Sequence, residues 1–401
     1  MTLRILADQN ILALDAWQDP DVELVFCDGR TLSAGDVKHA DALLVRSITR
    51  VNASLLAGSN VRFVGTATSG TDHIDLDYLQ QQGIHFTSAA GANAEAVADY
   101  VMCCLAELVI ESGFSLAGKT VAVVGVGHVG SALLSRLRST QAECLACDPF
   151  QQLCSETPYV SFLEALKADV ICLHTPLTQT GDYPTWHMLN ADNLMRLPKG
   201  VVVINAGRGE AIDNNALVTH LKGMSVKTKI NQDSSENFRH SQRFILDVWE
   251  GEPSPDPELL DLAYLATPHI AGYSVEAKYG ASQRVVSSLC EHFGLALPDF
   301  KVPDSAPVYG VGDADDKQGV TDIGCVSDND VSEFCASTDR QAAANAEQQQ
   351  ARQLLKTFSP RRVDTAFRQA YLAADNKSSG AECFDNIRRS LMARRENPHS
   401  Q

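Results

Sequence analysis

Residues 119–139, KTVAVVGVGHVGSALLSRLRS, decide the fold that the rest of the chain must fit. An apolar, β-branched run leads into Gly125, Gly127 and Gly130, and a segment with helical spacing follows them. The pattern predicts a strand, a tight turn and a helix. The first glycine permits the turn, the second lets a ligand approach the backbone, and the third allows the helix to pack closely on the strand.

The same stretch predicts a dinucleotide site. His128 and Val129, at the start of the helix, would offer unpaired N–H groups to a pyrophosphate. Asp148 ends the next apolar run, where a carboxylate accepts hydrogen bonds from ribose hydroxyls and repels a 2′-phosphate. NAD is therefore the expected cofactor. The alternative is that Asp148 only opens a turn with Pro149.

Apolar runs alternate with helical patterns on both sides of this stretch, which is typical of parallel sheets covered by helices. The runs before it are LRILAD, VELVFC, ALLVRS, RFVGTA and IHFTSA. The runs from it onward are VAVV, AECLACD, DVICLHTP, GVVVINAG, RFILDVWE and YLATPHIAG. A long helix over about residues 93–113, with Asn93 as its N-cap, is predicted between the two groups.

The order of these elements predicts an α/β protein with a nucleotide domain inserted into a discontinuous first domain. YLATPHIAG leads back toward the first group of strands, and the helix EAKYGASQRVVSSLCEHFG should cross over to pack on that group. A cleft is expected between the two domains.

Composition narrows the classes of partner. The chain of 401 residues has 33 Lys and Arg against 50 Asp and Glu, a formal net charge of −17, so a nucleic acid or an anionic membrane surface is not the expected partner. No apolar run is long enough to span a bilayer, and MTLRILADQN does not resemble a signal peptide. Eleven cysteines, an odd number, favour a reducing, cytoplasmic location.

No metal ligands are assigned. Cys144 and Cys147 form a C-x-x-C, but an offset of three residues within a strand places them on opposite faces.

Polar side chains follow several strands of the second group, at the edge where ligands bind in such sheets. Arg208 stands between two glycines in INAGRGEAID, Asp247 and Glu252 lie in LDVWEGEP, and His269 follows YLATP. A histidine can take the proton of a hydroxyl group, a carboxylate can orient the imidazole, and an arginine can bind a carboxylate. His269, Glu252 and Arg208 fit these roles in an oxidation of a 2-hydroxy acid by NAD.

The same residues resemble the signature of the D-isomer-specific 2-hydroxyacid dehydrogenases. GVGHVG with Asp148, HTPL at residues 174–177, INAGRGEAID, LDVWEGEP, TPHIAG and VGTATSGTDHID carry the resemblance. It implies a flavodoxin-like substrate domain of residues 1–94 with 266–292 and an inserted Rossmann NAD domain of residues 95–265. Arg208, Glu252 and His269 are implied as the catalytic set. The implied cofactor contacts are Gly125, Gly127, His128, Val129, Gly130, Asp148, Thr175, Ala206, Gly207, Asp247 and Gly272.

Other segments resemble a branch of this family that acts on a phosphorylated 2-hydroxy acid. RSITRVNASLLAG, HIAGYSVEAK and FDNIRRSLMARRE carry that resemblance, which assigns Ser47, Thr68 and Tyr273 to the substrate. Arg46 is a further candidate for the phosphate, with a surface arginine as the alternative. Residues 293–401 would form a small, partly disordered α+β domain that makes a homodimer.

Two segments depart from the family pattern. About 20 residues, MSVKTKINQDSSENFRHSQ, intervene before RFILDVWE, where connections of about 2 to 6 residues are usual. They would form a surface flap or disturb the register of the strand. Residues 311–350 are polar and match a compact domain poorly.

Two rival functions also stay open: another dehydrogenase of the family, such as a 3-phosphoglycerate enzyme, and a dinucleotide-sensing corepressor on the same scaffold.

Overall fold

The computed structural model describes residues 2–14, 17–151, 157–230, 241–300, 338–374 and 377–390. These residues form two compact units, one that holds the chain up to Val97 and again from Gly272, and one that holds Ala98–Ala271 and the C-terminal helices. The boundaries lie a few residues beyond the predicted ones at 94 and 265, and the division into functional domains stays a prediction.

The strands and helices follow the chain in the predicted order. The strands are β1 Leu3–Asp8, β2 Val22–Cys27, β3 Ala42–Val45, β4 Phe63–Thr66, β5 His85–Ser88, β6 Thr120–Val124, β7 Glu143–Cys147, β8 Val170–Leu173, β9 Val202–Asn205, β10 Arg243–Leu246 and β11 Leu265–Ala266. The helices are α1 Ala34–Val37, α2 Ala53–Leu56, α3 Leu76–Gln81, α4 Ala94–Ser112, α5 His128–Leu137, α6 Phe162–Ala165, α7 Ala191–Leu194, α8 Asn214–Ile230, α9 Pro257–Leu262, α10 Val275–Phe293, α11 Thr338–Thr357, α12 Pro360–Leu372 and α13 Lys377–Ser390.

The first unit contains a five-stranded parallel sheet of order β2-β1-β3-β4-β5, which is the flavodoxin-like order. All four residues of β3 and all four of β4 are buried, as expected for strands covered on both faces. The predicted crossover helix α10 packs on this sheet. Gly65 of β4 makes room for it, because a Cβ at Gly65 would lie 2.4 Å from the side chain of Val285.

The second unit contains a six-stranded parallel sheet of order β11-β10-β9-β8-β6-β7. The chain moves outward in one direction from β6 to β7 and in the other from β8 to β11, so the strand order reverses beside β6. Such a point opens a crevice at the carboxyl ends of the strands. The glycine turn predicted from residues 119–139 begins at this point, directly after Val124. The predicted fold class, two doubly wound parallel sheets, is confirmed.

The register of this sheet aligns the ends of its central strands. Leu173 pairs with Asn205, Asn205 with Leu246, and Leu246 with Ala266. The residues that follow each of these positions therefore emerge at the same edge of the sheet, which is where the sequence places the candidate catalytic residues.

The first part of the extra segment MSVKTKINQDSSENFRHSQ extends the helix that precedes it. α8 continues to Ile230, and residues 231–240 lie outside the described residues. β10 resumes in parallel register with β9 from Arg243 to Leu246, so the strand that leads to Asp247 keeps its pairing. No helix in the described ranges is long and apolar enough to cross a membrane.

The described part of the C-terminal tail consists of helices packed on the second unit. Phe367, Tyr371 and Phe384 are buried in the same hydrophobic cluster as residues of the six-stranded sheet. A separate small α+β domain is not confirmed, because residues 338–374 and 377–390 contain α11, α12 and α13 and no strand. The prediction that residues 311–350 match a compact domain poorly concerns, up to residue 337, residues outside the described part of the chain.

Charged side chains of α12 cover the outer edge of β11. The buried carboxylate of Asp364 accepts the N–H of Ala266 at 2.8 Å. Arg361 donates to the carbonyl of Tyr264, and Arg368 donates to the carbonyl of Ala263. Asp364 also binds both arginines, at 2.9 and 2.7 Å, so the buried carboxylate is fully paired.

Substituting Phe367→Ala should lower the free energy of unfolding by about 3–5 kcal/mol, because it opens a cavity where a fully buried ring fills the core. Leu372→Ala on the same helix is the control, since Leu372 is 46% exposed and its loss should cost less than about 1 kcal/mol. Urea unfolding of both variants measures the difference. Equal losses would mean that α12 does not form part of this core in solution.

Candidate active site

The three glycines of the turn have three different surroundings. Gly125 has φ +88°, and a Cβ there would lie 2.8 Å from the carbonyl carbon of His174. A Cβ at Gly130 would lie 2.1 Å from the carbonyl oxygen of Gly125. Gly127 has no such neighbour within 4 Å. The first and third glycines are therefore required by close backbone packing, and the second leaves open space beside the backbone, as a pyrophosphate would need.

The start of α5 fits an anionic ligand. Gly127 is its N-cap and makes no side-chain cap hydrogen bond, and the first turn contains no acidic residue. His128 is exposed, Val129 is half-buried and Gly130 is buried. Asp148 lies beside the turn, where its Oδ2 accepts the N–H of Val126 at 2.9 Å and its Oδ1 accepts the N–H of Phe150 at 3.0 Å.

Both alternatives proposed for Asp148 are thus compatible with its position. Asp148 opens the local turn through its hydrogen bond to Phe150. Its carboxylate also borders the glycine turn, and each oxygen can accept a further hydrogen bond from a ribose hydroxyl.

The ends of β8 and β9 form the next part of the site. Thr175 is buried, and its hydroxyl lies 3.8 Å from the sulfur of Met188. The buried Asn205 holds the following loop through both ends of its amide, since it accepts the N–H of Gly207 and donates to the carbonyl of Arg208. A Cβ at Gly207 would lie 3.1 Å from the carbonyl oxygen of Leu173. Ala206 and Gly207 are consequently held against the end of β8.

Arg208 lies between a held loop and a close backbone contact. Its side chain is half-buried and donates to the carbonyl of Gly207 at 3.0 Å. Gly209, which begins a 3-10 turn, packs so closely on Trp249 that a Cβ would lie 2.1 Å from its carbonyl carbon. The two glycines beside the arginine are therefore explained by neighbouring backbone, which brings the Arg208 segment against the segment that follows β10.

Asp247 is fully buried and holds the loop after β11. Its Oδ1 accepts from the hydroxyl of Thr267 at 2.6 Å and from the N–H of Ile270 at 2.8 Å, and its Oδ2 accepts the N–H of Ala271 at 2.8 Å. Burial raises the pKa of Asp247, although His269 and these hydrogen bonds oppose the increase. The predicted contact of Asp247 with the cofactor stays a prediction, because these hydrogen bonds show a role in shaping the loop.

Glu252 and His269 form a hydrogen-bonded pair. The Nδ1 of His269 lies 2.7 Å from Oε2 of Glu252, and Oε1 of Glu252 accepts the N–H of Trp249 at 3.0 Å. His269 has φ +54°, and its N–H donates to the carbonyl of Asp247. Burial alone would raise the pKa of Glu252, but the interactions with His269, Arg388 and the Trp249 N–H hold it below its usual value.

The candidate substrate residues Arg46, Ser47 and Thr68 belong to the first unit. β3 and β4 pair Val45 with Thr66, so Arg46, Ser47 and Thr68 follow the ends of two adjacent strands. Ser47 is exposed and Arg46 is half-buried. The hydroxyl of Thr68 lies 2.7 Å from that of Thr66 and donates to the carbonyl of Gly70.

Gly272 and Tyr273 also belong to the first unit, just before α10. A Cβ at Gly272 would lie 2.4 Å from the side chain of Asn93, so this glycine is explained by local packing. The ammonium group of Lys278 lies 4.7 Å from the centre of the Tyr273 ring. The structure thus brings the candidate catalytic residues together in the second unit and places all four substrate candidates in the first.

A second group of polar residues near Arg208 and Glu252 has no counterpart in the sequence predictions. His187, Asp213 and Glu250 each offer one side-chain atom within 4.8 Å of the others. Glu250 lies inside LDVWEGEP, which was a signal that could have drawn attention to it. His187 is an isolated histidine in a loop, and no periodicity or spacing links it to the other two.

Comparisons with known proteins identify the family of the chain. Residues 107–231 match the family model described as D-isomer specific 2-hydroxyacid dehydrogenase, NAD binding domain. The chain is 39% identical over 393 residues to erythronate-4-phosphate dehydrogenase of Pseudomonas fluorescens, covering 98% of this chain and 92% of that protein. It is 45% identical over 295 residues to the protein of the same name from Chromohalobacter salexigens, covering 73% of each.

Solved structures show the same fold at lower sequence identity. D-lactate dehydrogenase of Aquifex aeolicus, complexed with NAD and lactic acid, superposes with a TM-score of 0.54 at 22% identity, covering 73% of this chain and 96% of that one. NAD-dependent formate dehydrogenase of Staphylococcus aureus, in complex with NAD, gives a TM-score of 0.56 at 20% identity, covering 74% of this chain and 97% of that one.

The open space at Gly127 predicts a selective loss of cofactor binding. In Gly127→Ala, the added methyl group meets no protein atom and φ of −74° suits alanine, so the free energy of unfolding without cofactor should change by less than about 0.5 kcal/mol. The dissociation constant of NADH, measured by fluorescence titration, should rise at least about tenfold. Gly223→Ala, at another glycine with open surroundings, is the control and should bind NADH normally. Unchanged affinity in Gly127→Ala would place the pyrophosphate elsewhere.

His174 predicts a pH-dependent loss of stability. Its ring nitrogens are buried without a hydrogen-bond partner, and burial lowers the pKa of His174 to about 4. In the unfolded chain the imidazole of His174 is protonated as the pH falls below about 6.5, whereas in the folded chain it stays neutral down to about pH 4. The free energy of unfolding therefore decreases as the pH falls from about 6.5 toward 4. Between pH 6.5 and 5 the loss should reach about 1.5 kcal/mol, and His174→Asn should remove it.

The measurement is the free energy of unfolding against pH for the wild type, His174→Asn and the exposed-site control His128→Asn. The control should keep the slope of the wild type. Parallel curves for all three proteins would contradict the prediction.

Proposed function

Because the chain belongs to the D-isomer specific 2-hydroxyacid dehydrogenase family, we propose that it oxidises 4-phospho-D-erythronate to (R)-3-hydroxy-2-oxo-4-phosphooxybutanoate. The electron acceptor is NAD, and the reaction belongs to the synthesis of pyridoxal 5′-phosphate (vitamin B6). The observation that carries the proposal is the pair of His269 and Glu252, joined at 2.7 Å on the sheet edge that also carries Arg208. The names of the curated relatives support the choice of substrate.

The residues around the glycine turn fit NAD. The N–H groups at the start of α5 would hold the pyrophosphate, and Asp148 would accept hydrogen bonds from the ribose hydroxyls. Thr175, Ala206 and Gly207, at the ends of β8 and β9, would border the rest of the cofactor. When bound, NAD supplies the acceptor for the hydride that leaves the substrate carbon.

His269 is proposed as the general base. Its Nδ1 is engaged by Glu252, so Nε2 is the nitrogen that takes the proton of the 2-hydroxyl group. Glu252 fixes the orientation of the ring and stabilises the imidazolium that forms, because an opposite charge beside the imidazole favours its protonated form. Asp247 acts through the backbone, because its carboxylate holds Ile270 and Ala271 and thereby sets the position of His269.

Arg208 is proposed to bind the substrate carboxylate and to polarise the developing carbonyl oxygen. A guanidinium group can make two parallel hydrogen bonds to a carboxylate, which orients the hydroxyl-bearing carbon as well as neutralising charge. The close packing of Gly209 on Trp249 supports this role, since it limits how far the arginine can move from the Glu252 segment.

The first unit is proposed to recognise the phosphorylated end of the substrate. Ser47, Thr68 and Tyr273 would donate hydrogen bonds from their hydroxyl groups, and Arg46 would add a positive charge. A protein with a net charge of −17 needs such donors concentrated at one place in order to bind a phosphorylated acid.

We further propose that the protein works as a cytoplasmic homodimer. The similarity to the Pseudomonas fluorescens relative covers 98% of this chain and so includes the C-terminal region. This similarity supports an assembly that the two proteins have in common. The cysteines of the described residues are free thiols, in keeping with a reducing compartment.

The test is NADH fluorescence on purified protein given 4-phospho-D-erythronate, with and without a 2-oxo acid that reoxidises any bound cofactor. The wild type should respond to this substrate and not to 3-phosphoglycerate. His269→Ala should lower kcat by about 10²–10⁴-fold while the dissociation constant of NADH stays within about twofold, because the base is lost and the nucleotide turn is intact. His39→Ala, at an exposed histidine, is the control.

Turnover of a different 2-hydroxy acid alone would keep the family chemistry and refute the proposed substrate. Full activity in His269→Ala would refute the proposed base. NADH binding without turnover of any hydroxy acid would favour a dinucleotide-sensing protein.

A further inference from the structure

His187, Asp213 and Glu250 come from three different connections of the six-stranded sheet. His187 precedes α7, Asp213 precedes α8, and Glu250 lies between β10 and α9. The three side chains are partly buried. The indole ring of Trp186 stacks on the imidazole of His187 with 3.7 Å between ring centres.

The shortest contact in this group is a hydrogen bond of Glu250. Nε2 of His187 lies 2.5 Å from Oε1 of Glu250, whereas its Nδ1 lies 3.7 Å from Oδ2 of Asp213. The second oxygen of Glu250 accepts the N–H of Asn214 at 3.0 Å. Glu250 is therefore held at both oxygens by residues of the other two connections.

The distances favour a direct hydrogen bond between His187 and Glu250 over a shared metal ion. Ligand atoms about 2.0–2.1 Å from one ion in tetrahedral or octahedral geometry are themselves separated by roughly 3 Å or more. The contact of 2.5 Å between Nε2 of His187 and Oε1 of Glu250 is too short for two ligands of one such ion, and the two atoms are instead joined directly by a hydrogen bond.

This hydrogen bond joins the two segments that carry the candidate catalytic residues. The N–H of His187 donates to the carbonyl of Glu210 at 2.7 Å, and the N–H of Leu189 donates to that of Ala211 at 3.0 Å, so the His187 loop is bound to the turn directly after Arg208. Glu250 lies two residues before Glu252, and the N–H of the adjacent Trp249 binds the carboxylate of Glu252.

We propose that His187 and Glu250 form a clamp that positions Arg208 relative to the Glu252–His269 pair. Neither clamp residue touches the reacting atoms. Each acts through the backbone, His187 through the turn at Glu210 and Glu250 through Trp249. The proposal rests on the proposed function for the roles of Arg208, Glu252 and His269, and the clamp itself rests on the hydrogen bonds alone.

The test compares the wild type with Glu250→Ala, Glu250→Gln, His187→Ala and the double alanine variant. Glu250→Ala should lower kcat/KM at least about tenfold, because small displacements of positioned groups have large effects on rate, while the dissociation constant of NADH changes less than about twofold. Glu250→Gln keeps the shape and an acceptor, so it should stay within about threefold of the wild type. The double variant should lose no more than the worse single one, as expected for two residues that act as a unit.

Glu258→Ala is the matched control, since it removes an exposed pair with Lys222 on the neighbouring helix α9 and should leave kcat/KM unchanged. Hydrogen exchange of residues 206–214 and 247–253 gives a second measurement that does not depend on activity. Both segments should exchange faster in Glu250→Ala and at the rate of the wild type in Glu250→Gln.

Unchanged exchange in Glu250→Ala would refute the clamp, and faster exchange with unchanged kcat/KM would refute its positioning role. Activity lost on dialysis against EDTA and restored by Mn²⁺ would overturn the hydrogen-bonded clamp in favour of an ion. A wild-type protein that oxidises no 2-hydroxy acid would refute the proposed function, and exchange would then decide whether the clamp exists.

Discussion

The candidate site depends on one buried carboxylate. Asp247 is fully buried at the end of β10, and its two oxygens accept three hydrogen bonds from the loop that follows β11. A buried charge without such donors would be strongly unfavourable, so the loop and the carboxylate require each other. The loop that results holds His269 in a left-handed conformation, where its imidazole meets Glu252. The hydrogen bonds of the backbone to Asp247 therefore set the position in which His269 meets Glu252.

Much of this arrangement follows from the sequence because local rules suffice for it. Buried parallel strands need continuous β-branched runs, and each predicted run corresponds to one of the strands β1–β11. Strand ends of one sheet meet at one edge, which is why Arg208, Asp247, Glu252 and His269 could be grouped before the structure was known. The roles of the glycines at 125, 127 and 130 follow from their spacing between a predicted strand and a predicted helix, and their surroundings agree with those roles.

The remaining features depend on contacts that local patterns do not encode. The hydrogen bond between His187 and Glu250 joins residues 63 positions apart in two irregular loops, where no period specifies a partner. The family resemblance implies a cofactor contact for Asp247, whereas the hydrogen bonds of Asp247 depend on how the next loop folds back. The length of the segment before RFILDVWE predicted a flap or a disturbed strand, whereas its first residues prolong α8 to Ile230 and β10 keeps its register with β9. The predicted flap falls on residues 231–240, outside the described part of the chain.

The way in which α12 covers the edge of β11 has a consequence for synthesis of the protein. An edge strand presents unpaired N–H and carbonyl groups that can recruit another chain. Here Asp364 occupies the N–H of Ala266, and Arg361 and Arg368 occupy carbonyl groups of the two residues just before β11. Almost 100 residues separate Ala266 from Asp364, so the ribosome completes the sheet well before it produces the helix that covers it. We expect the nascent chain to pass through a stage in which this edge is open to aggregation, and premature termination before residue 360 would leave it so permanently.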